Sequence, residues 1–76
     1  MVNAYIFIET EHGMAIKVVE RAREIKGVKS CDGVTGPYDA IALVKSQNIS
    51  LLGEVIVAQI QHIPGVVRTL TNIVCT

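Results

Sequence analysis

Residues 2–9, Val-Asn-Ala-Tyr-Ile-Phe-Ile-Glu, put apolar side chains on both faces of any extended strand. Side chains alternate along a strand, so Ala4, Ile6 and Ile8 share one face while Tyr5 and Phe7 share the other. A strand of this kind belongs in a sheet covered on both sides. In a chain of 76 residues, its own helices can cover one side. The other side calls for a partner subunit. Composition points the same way: half of the residues are apolar, only 18% are charged, and mean hydropathy is +0.44. A chain this short buries roughly 60% of the surface it exposes when unfolded. It usually depends on disulfides, a metal or oligomerisation for stability. Oligomerisation is the simplest way to bury the excess apolar surface.

Seven basic and seven acidic residues give a formal net charge of zero. Nucleic-acid binding would call for a clustered basic excess, and the sequence has none, so direct binding to duplex DNA is not expected. Lys17, Arg21, Arg23, Lys26 and Lys29 interleave with Glu20 and Glu24, which is the spacing of a solvated helix face. No apolar run approaches the ~20 residues a bilayer span needs. The apolar start lacks the basic flank of a signal peptide. The cysteines, Cys31 and Cys75, have no CxxC spacing and are expected to be reduced, strand-borne and structural. The cytoplasm is the default compartment.

The rest of the chain alternates between helical and strand periods. Met14 to Ile25 repeats Ala15, Val18, Ala22 and Ile25 at helical spacing, with Val19 widening the stripe and Gly27 placed as a left-handed cap. Val28 to Val34 is a weaker strand in which Gly33 can mark a bulge. Ala40 to Lys45 is a strong buried strand, joined to it by a short loop around Gly36-Pro37. Asn48 to Ile63 is a second helix with Asn48 as N-cap and a stripe of Leu52, Val55, Ile56, Gln59, Ile60 and Ile63. Pro64-Gly65 stops it, and Val66 to Cys75 is the last strand. The order β-α-β-β-α-β in a single domain, residues 1–76, predicts an α+β ferredoxin-like fold: a four-stranded antiparallel sheet with two helices on one face.

Polar groups gather most tightly at Thr35-Gly36-Pro37-Tyr38-Asp39. Asp39 stands just before a buried strand. Its carboxylate either bonds the backbone of its own loop or, with the loop amides, holds a zwitterionic ligand. Tyr38 can wall such a site or shield the loop. Thr69 and Thr71, two apart, share one face of the last strand. Threonine's β-propensity accounts for them, or they are hydroxyls on the uncovered face, available across an interface. His12 in a loop and His62 at a helix end have no partners at metal-ligand spacing, so no metal is expected. Asp32 and Asp39 flank one loop but lack a nucleophile, and Glu9 and Glu11 read as solvated, so no catalytic residues are assigned. There is no phosphate loop and no GxGxxG pattern, so no cofactor is implied.

Two blocks, Val34-Thr35-Gly36-Pro37-Tyr38-Asp39 and Pro64-Gly65-Val66-Val67-Arg68-Thr69-Leu70-Thr71, occur in order across a βαββαβ chain. Together they resemble the effector-binding domain of the Lrp/AsnC transcription regulators, known as the RAM domain, over essentially the whole length. The resemblance implies a domain that dimerises through its sheet and assembles dimers into rings, often octamers. It implies an amino-acid effector in a cleft between dimers. By position, Gly36, Tyr38 and Asp39 would contact the effector from the loop, and Thr69 and Thr71 from a neighbouring dimer. Strand one begins at Val2, so the family's helix-turn-helix is expected to be missing and the chain to act as a stand-alone effector domain. A full-length regulator is then a candidate partner. Pro37 takes a position often polar in the family and removes a backbone donor. The competing reading is a small dimeric α/β-barrel enzyme, such as a cofactor-free monooxygenase or isomerase, on the same fold. That enzyme would place its polar residues in a pocket between sheet and helices, whereas an effector domain would place them between dimers.

Overall fold

The computed structural model describes all 76 residues and has the predicted order. Strand β1 (Val2–Thr10) leads to helix α1 (Ala15–Arg23), then to β2 (Val28–Gly33) and β3 (Ala40–Ser46). The second helix runs as three consecutive segments: α2 (Ile49–Leu51), a π-helical stretch Leu52–Val57, and α3 (Ala58–Gln61). Strand β4 (Val66–Ile73) ends the fold. The sheet order is β2-β3-β1-β4 with every neighbouring pair antiparallel. This is the ferredoxin-like arrangement expected from the sequence, with β1 at the centre.

The register divides the sheet into two chemically different faces. Ala4 pairs with Val44 and Ile6 with Ala42, while Cys31 pairs with Ala42 from β2. These residues, with Ile8 and Ala40, are buried beneath Val18, Val19 and Ala22 of α1 and Leu52, Ile56, Ile60 and Ile63 of the second helix. Alanines at Ala40 and Ala42 on β3 leave room that the branched helix side chains fill. The opposite face carries Tyr5 against Leu43, and Phe7 between Ile41 and Leu70. Tyr5 and Leu70 are 45% and 46% exposed, with no helix over them.

Several local expectations are corrected. Gly33 pairs regularly with Ala40, and the β2 irregularity lies between Val28 and Ser30 instead. That bulge places Val28, opposite Val44, and Cys31, opposite Ala42, on the covered face although they stand three apart. Gly27 is not the cap of α1, whose C-cap is Glu24. Its φ of +99° serves the turn into β2, closed by Val28 N–H donating to the Ile25 carbonyl at 3.1 Å. A Cβ there would lie 2.6 Å from Ile56 Cδ1 and 3.2 Å from the Lys45 carbonyl oxygen on a left-handed backbone, so glycine is strongly favoured. Asn48 does cap the second helix, its side-chain oxygen accepting from Leu51 N–H at 2.8 Å. Val55 and Gln59 are exposed rather than part of the buried stripe, which keeps Leu52, Ile56, Ile60 and Ile63. The π segment spans both Val55 and Ile56 and so changes the local helical phase. Cys75 lies beyond β4 and is exposed, so only Cys31 is a strand residue of the core.

Candidate functional site

The β2–β3 loop is closed by Val34 N–H donating to the Asp39 carbonyl at 2.9 Å. It is then tied to the end of β1 by two bonds from one residue. Asp39 N–H donates to the Ile8 carbonyl at 3.0 Å, and Asp39 Oδ2 accepts from Thr10 N–H at 2.7 Å. Thr10 sits where the β1–β4 register shifts, so the carboxylate serves a backbone donor at a break in the ladder. The carboxylate therefore bonds neighbouring backbone, as one reading expected, but the backbone belongs to β1 and not to its own loop. Oδ1 makes no bond to the protein.

Tyr38 folds back over the open face of the sheet. Its ring lies 5.5 Å from that of Phe7, and the Arg68 guanidinium stands 5.6 Å from its centroid. Arg68 also pairs with Glu9 at 3.2 Å, so Glu9 is not simply solvated. Gly36, with φ of +132° and open space around its α-carbon, lies at the exposed part of the loop. The N–H groups of Thr35, Gly36 and Tyr38 donate to no protein acceptor, and Pro37 has none to offer. The loop thus leaves three backbone donors and one carboxylate oxygen without a protein partner.

Thr69 and Thr71 do not join this array within one copy. They pair with Ile8 and Ile6, so both point to the helix-covered face and not to the uncovered one. Thr69 Oγ1 accepts from Gln61 Nε2 at 3.0 Å, joining β4 to the end of the second helix. The uncovered face of β4 carries Arg68, Leu70 and Asn72 instead. Phe7, Glu9 and Arg68 are not read from the sequence as site residues: Phe7 is expected on the second face of β1, Glu9 as solvated, and Arg68 only as part of the second motif block. Alternation puts Phe7 and Glu9 on the Tyr5 face of β1 and Arg68 opposite Thr69, but only the register and the fold of the loop bring them together around Tyr38.

Elsewhere the chemistry is sparse. Asp32 pairs with Arg23 at 3.6 Å, and His62 Nδ1 lies 2.7 Å from the Ala58 carbonyl at the helix end. No three His, Cys, Asp or Glu side chains converge as metal ligands. Burial pushes the Cys31 thiol up, outweighing the nearby Arg23, with Asp32 adding to the rise. A reactive thiolate needs the opposite shift, so Cys31 is a packing residue. The layer between sheet and helices is filled by the apolar cluster and holds no unpaired buried polar side-chain atom. No helix is long and apolar enough to cross a membrane.

Comparison with known proteins accords with this architecture. Residues 3–76 match the Lrp/AsnC ligand-binding domain, and the chain belongs to that family. A Thermus thermophilus protein of known structure is 30% identical, superposes with a TM-score of 0.92, and is matched over 100% of this chain and 95% of its own. AsnC of E. coli is 24% identical with a TM-score of 0.90, covering 99% of this chain and 51% of the regulator. A transcriptional regulator of Neisseria meningitidis, solved in complex with L-Met, is 17% identical with a TM-score of 0.85, covering 99% of this chain and 50% of its own. The chain thus spans about half the length of these two regulators and corresponds to a regulatory effector-binding domain. No curated protein matches it significantly.

Proposed function

We propose that this domain binds a free amino acid at the Gly36–Asp39 loop and works as an assembly of dimers, modulating transcription or amino-acid metabolism without contacting DNA itself. The observation that carries the proposal is the loop: three backbone N–H groups without acceptors beside the unbonded Oδ1 of Asp39. An amino acid carries a carboxylate and an ammonium a few ångströms apart. The amides suit the first and Asp39 the second. The Neisseria regulator solved with L-Met supports an amino acid as the ligand class. The apolar filling of the space between sheet and helices supports a binding module over a barrel enzyme, which would keep a polar pocket there.

The open face of Tyr5, Phe7, Ile41, Leu43 and Leu70 is the surface for a second copy. The equivalent face of a full-length regulator of this family would fit it equally. Since Tyr38 packs on Phe7, the loop touches the edge of that surface. Thr69 and Thr71 can reach a ligand only from another copy, because in their own chain they lie on the face away from Tyr38.

Calorimetric titration with the twenty amino acids tests the ligand. At least one should bind the wild type. Asp39→Asn keeps an oxygen for Thr10 N–H but removes the charge, and should weaken binding by about 1.5–3 kcal/mol with little change in stability. If none binds at millimolar concentration, the domain is an assembly module only. If Asp39→Asn binds as well as the wild type, the ammonium sits elsewhere.

A further inference from the structure

The end of the sheet farthest from the Gly36–Asp39 loop, where Val2 pairs with Ser46, carries a separate groove of about 530 Å³. Lys26, Lys29 and Lys45 line it together with Leu51, Val55 and Ile56, and no acidic residue does. Three of the four lysines of a chain with zero net charge therefore gather at one concavity. The two ion pairs of the molecule are made by Arg23 and Arg68, so none of the three lysines is in one. Lys26 follows the C-terminus of α1, where a cation is favoured anyway, but that accounts for one lysine of three.

Three departures from regular backbone border the same groove. The β2 bulge falls at Lys29 and sets it apart from the alternation that turns Val28 and Cys31 to the covered face. Bulges re-aim side chains in this way. Gly27 turns at φ of +99° directly against Ile56. The π stretch Leu52–Val57 holds both Val55 and Ile56, and π turns inside α-helices concentrate at functional sites. We propose that this groove binds a small polyanion bearing an apolar or planar group, of the nucleoside polyphosphate class. Lysine ammonium groups act as point charges toward phosphate oxygens. Leu51 and Val55, both exposed, supply an apolar surface for a base, and the volume lies within the usual range of small-molecule sites. The site is separate from the amino-acid loop and stands whether or not that loop binds its ligand.

The test is an NMR titration of the 76-residue chain with ATP, AMP and inorganic pyrophosphate at physiological salt. ATP should give saturable shifts confined to residues 26–29, 45–47 and 51–59, and should bind more tightly than AMP or pyrophosphate. Lys29→Gln should weaken ATP by about tenfold, the factor for one lost hydrogen bond to a charged group. Lys17→Gln, on the exposed face of α1 and outside the groove, should leave binding unchanged. Several results would overturn the proposal: no saturation by about 10 mM, a free energy too small for a specific site; equal loss from Lys17→Gln; or pyrophosphate binding as tightly as ATP. Preference for phosphatidylglycerol vesicles or duplex DNA over ATP would also overturn it.

Discussion

The two faces of β1 are both apolar, yet they end in different states. Ala4, Ile6 and Ile8 are fully buried, closed over by the chain's own two helices. Tyr5 and Phe7, on the same strand, meet Ile41, Leu43 and Leu70 on a face that no helix covers and over which only Tyr38 folds back, against Phe7. The covered face uses small and branched aliphatic side chains that pack against helices. The open face uses larger, partly aromatic ones rimmed by charge, at Glu9, Arg68 and Asp32, and that pattern is typical of a protein interface. Only 15 of the 76 residues are buried, so the core alone is modest. The difference separates the half of the sheet's apolar surface that the chain's own helices close from the half that they leave open.

The sharpest way to break this comparison is to put the same charge on each face. Ile6→Asp places a carboxylate without a partner in the core and should abolish the cooperative thermal transition, a loss of several kcal/mol. Phe7→Asp, one residue away, should keep a cooperative transition and native far-UV dichroism. Its Tm should fall and lose the dependence on protein concentration that an associating wild type shows. Equal effects of the two substitutions would mean that the open face is not an interface.

A smaller effect sharpens the boundary between loop and open face. Arg68 stands over Tyr38 and pairs with Glu9, but the side chains of Arg68 and Glu9 are 64% and 37% exposed. Arg68→Ala should therefore change folding stability by about 1 kcal/mol or less, the value for an exposed ion pair. Denaturant unfolding measures this directly. A loss of several kcal/mol would show the cluster to be part of the fold instead of an adjustable contact beside the ligand loop.

Periodicity made most of the fold legible. The doubly apolar β1, the stripe of α1 and the Pro64-Gly65 stop each follow from local chemistry that the fold does not overrule. The bulge at Lys29 and the π stretch did not show, because both are adjustments to packing between elements distant in sequence. Gly27 against Ile56 is such a contact, between residues 29 positions apart in the sequence. At the candidate site, Gly36, Tyr38 and Asp39 could be named because they are consecutive. The bond from Thr10 to Asp39 could not, since it depends on how β1 meets the loop. The alternative that sets Thr69 and Thr71 on the uncovered face fails for a related reason. Alternation says that they share a face, but only the register with Ile8 and Ile6 says which.

The central claim, that the uncovered face of the sheet is completed by another copy, is tested most directly by sedimentation equilibrium of the wild-type chain at micromolar concentration. The account predicts a species of at least twice the 8.2 kDa of one chain. A homogeneous 8.2 kDa monomer under those conditions would contradict it.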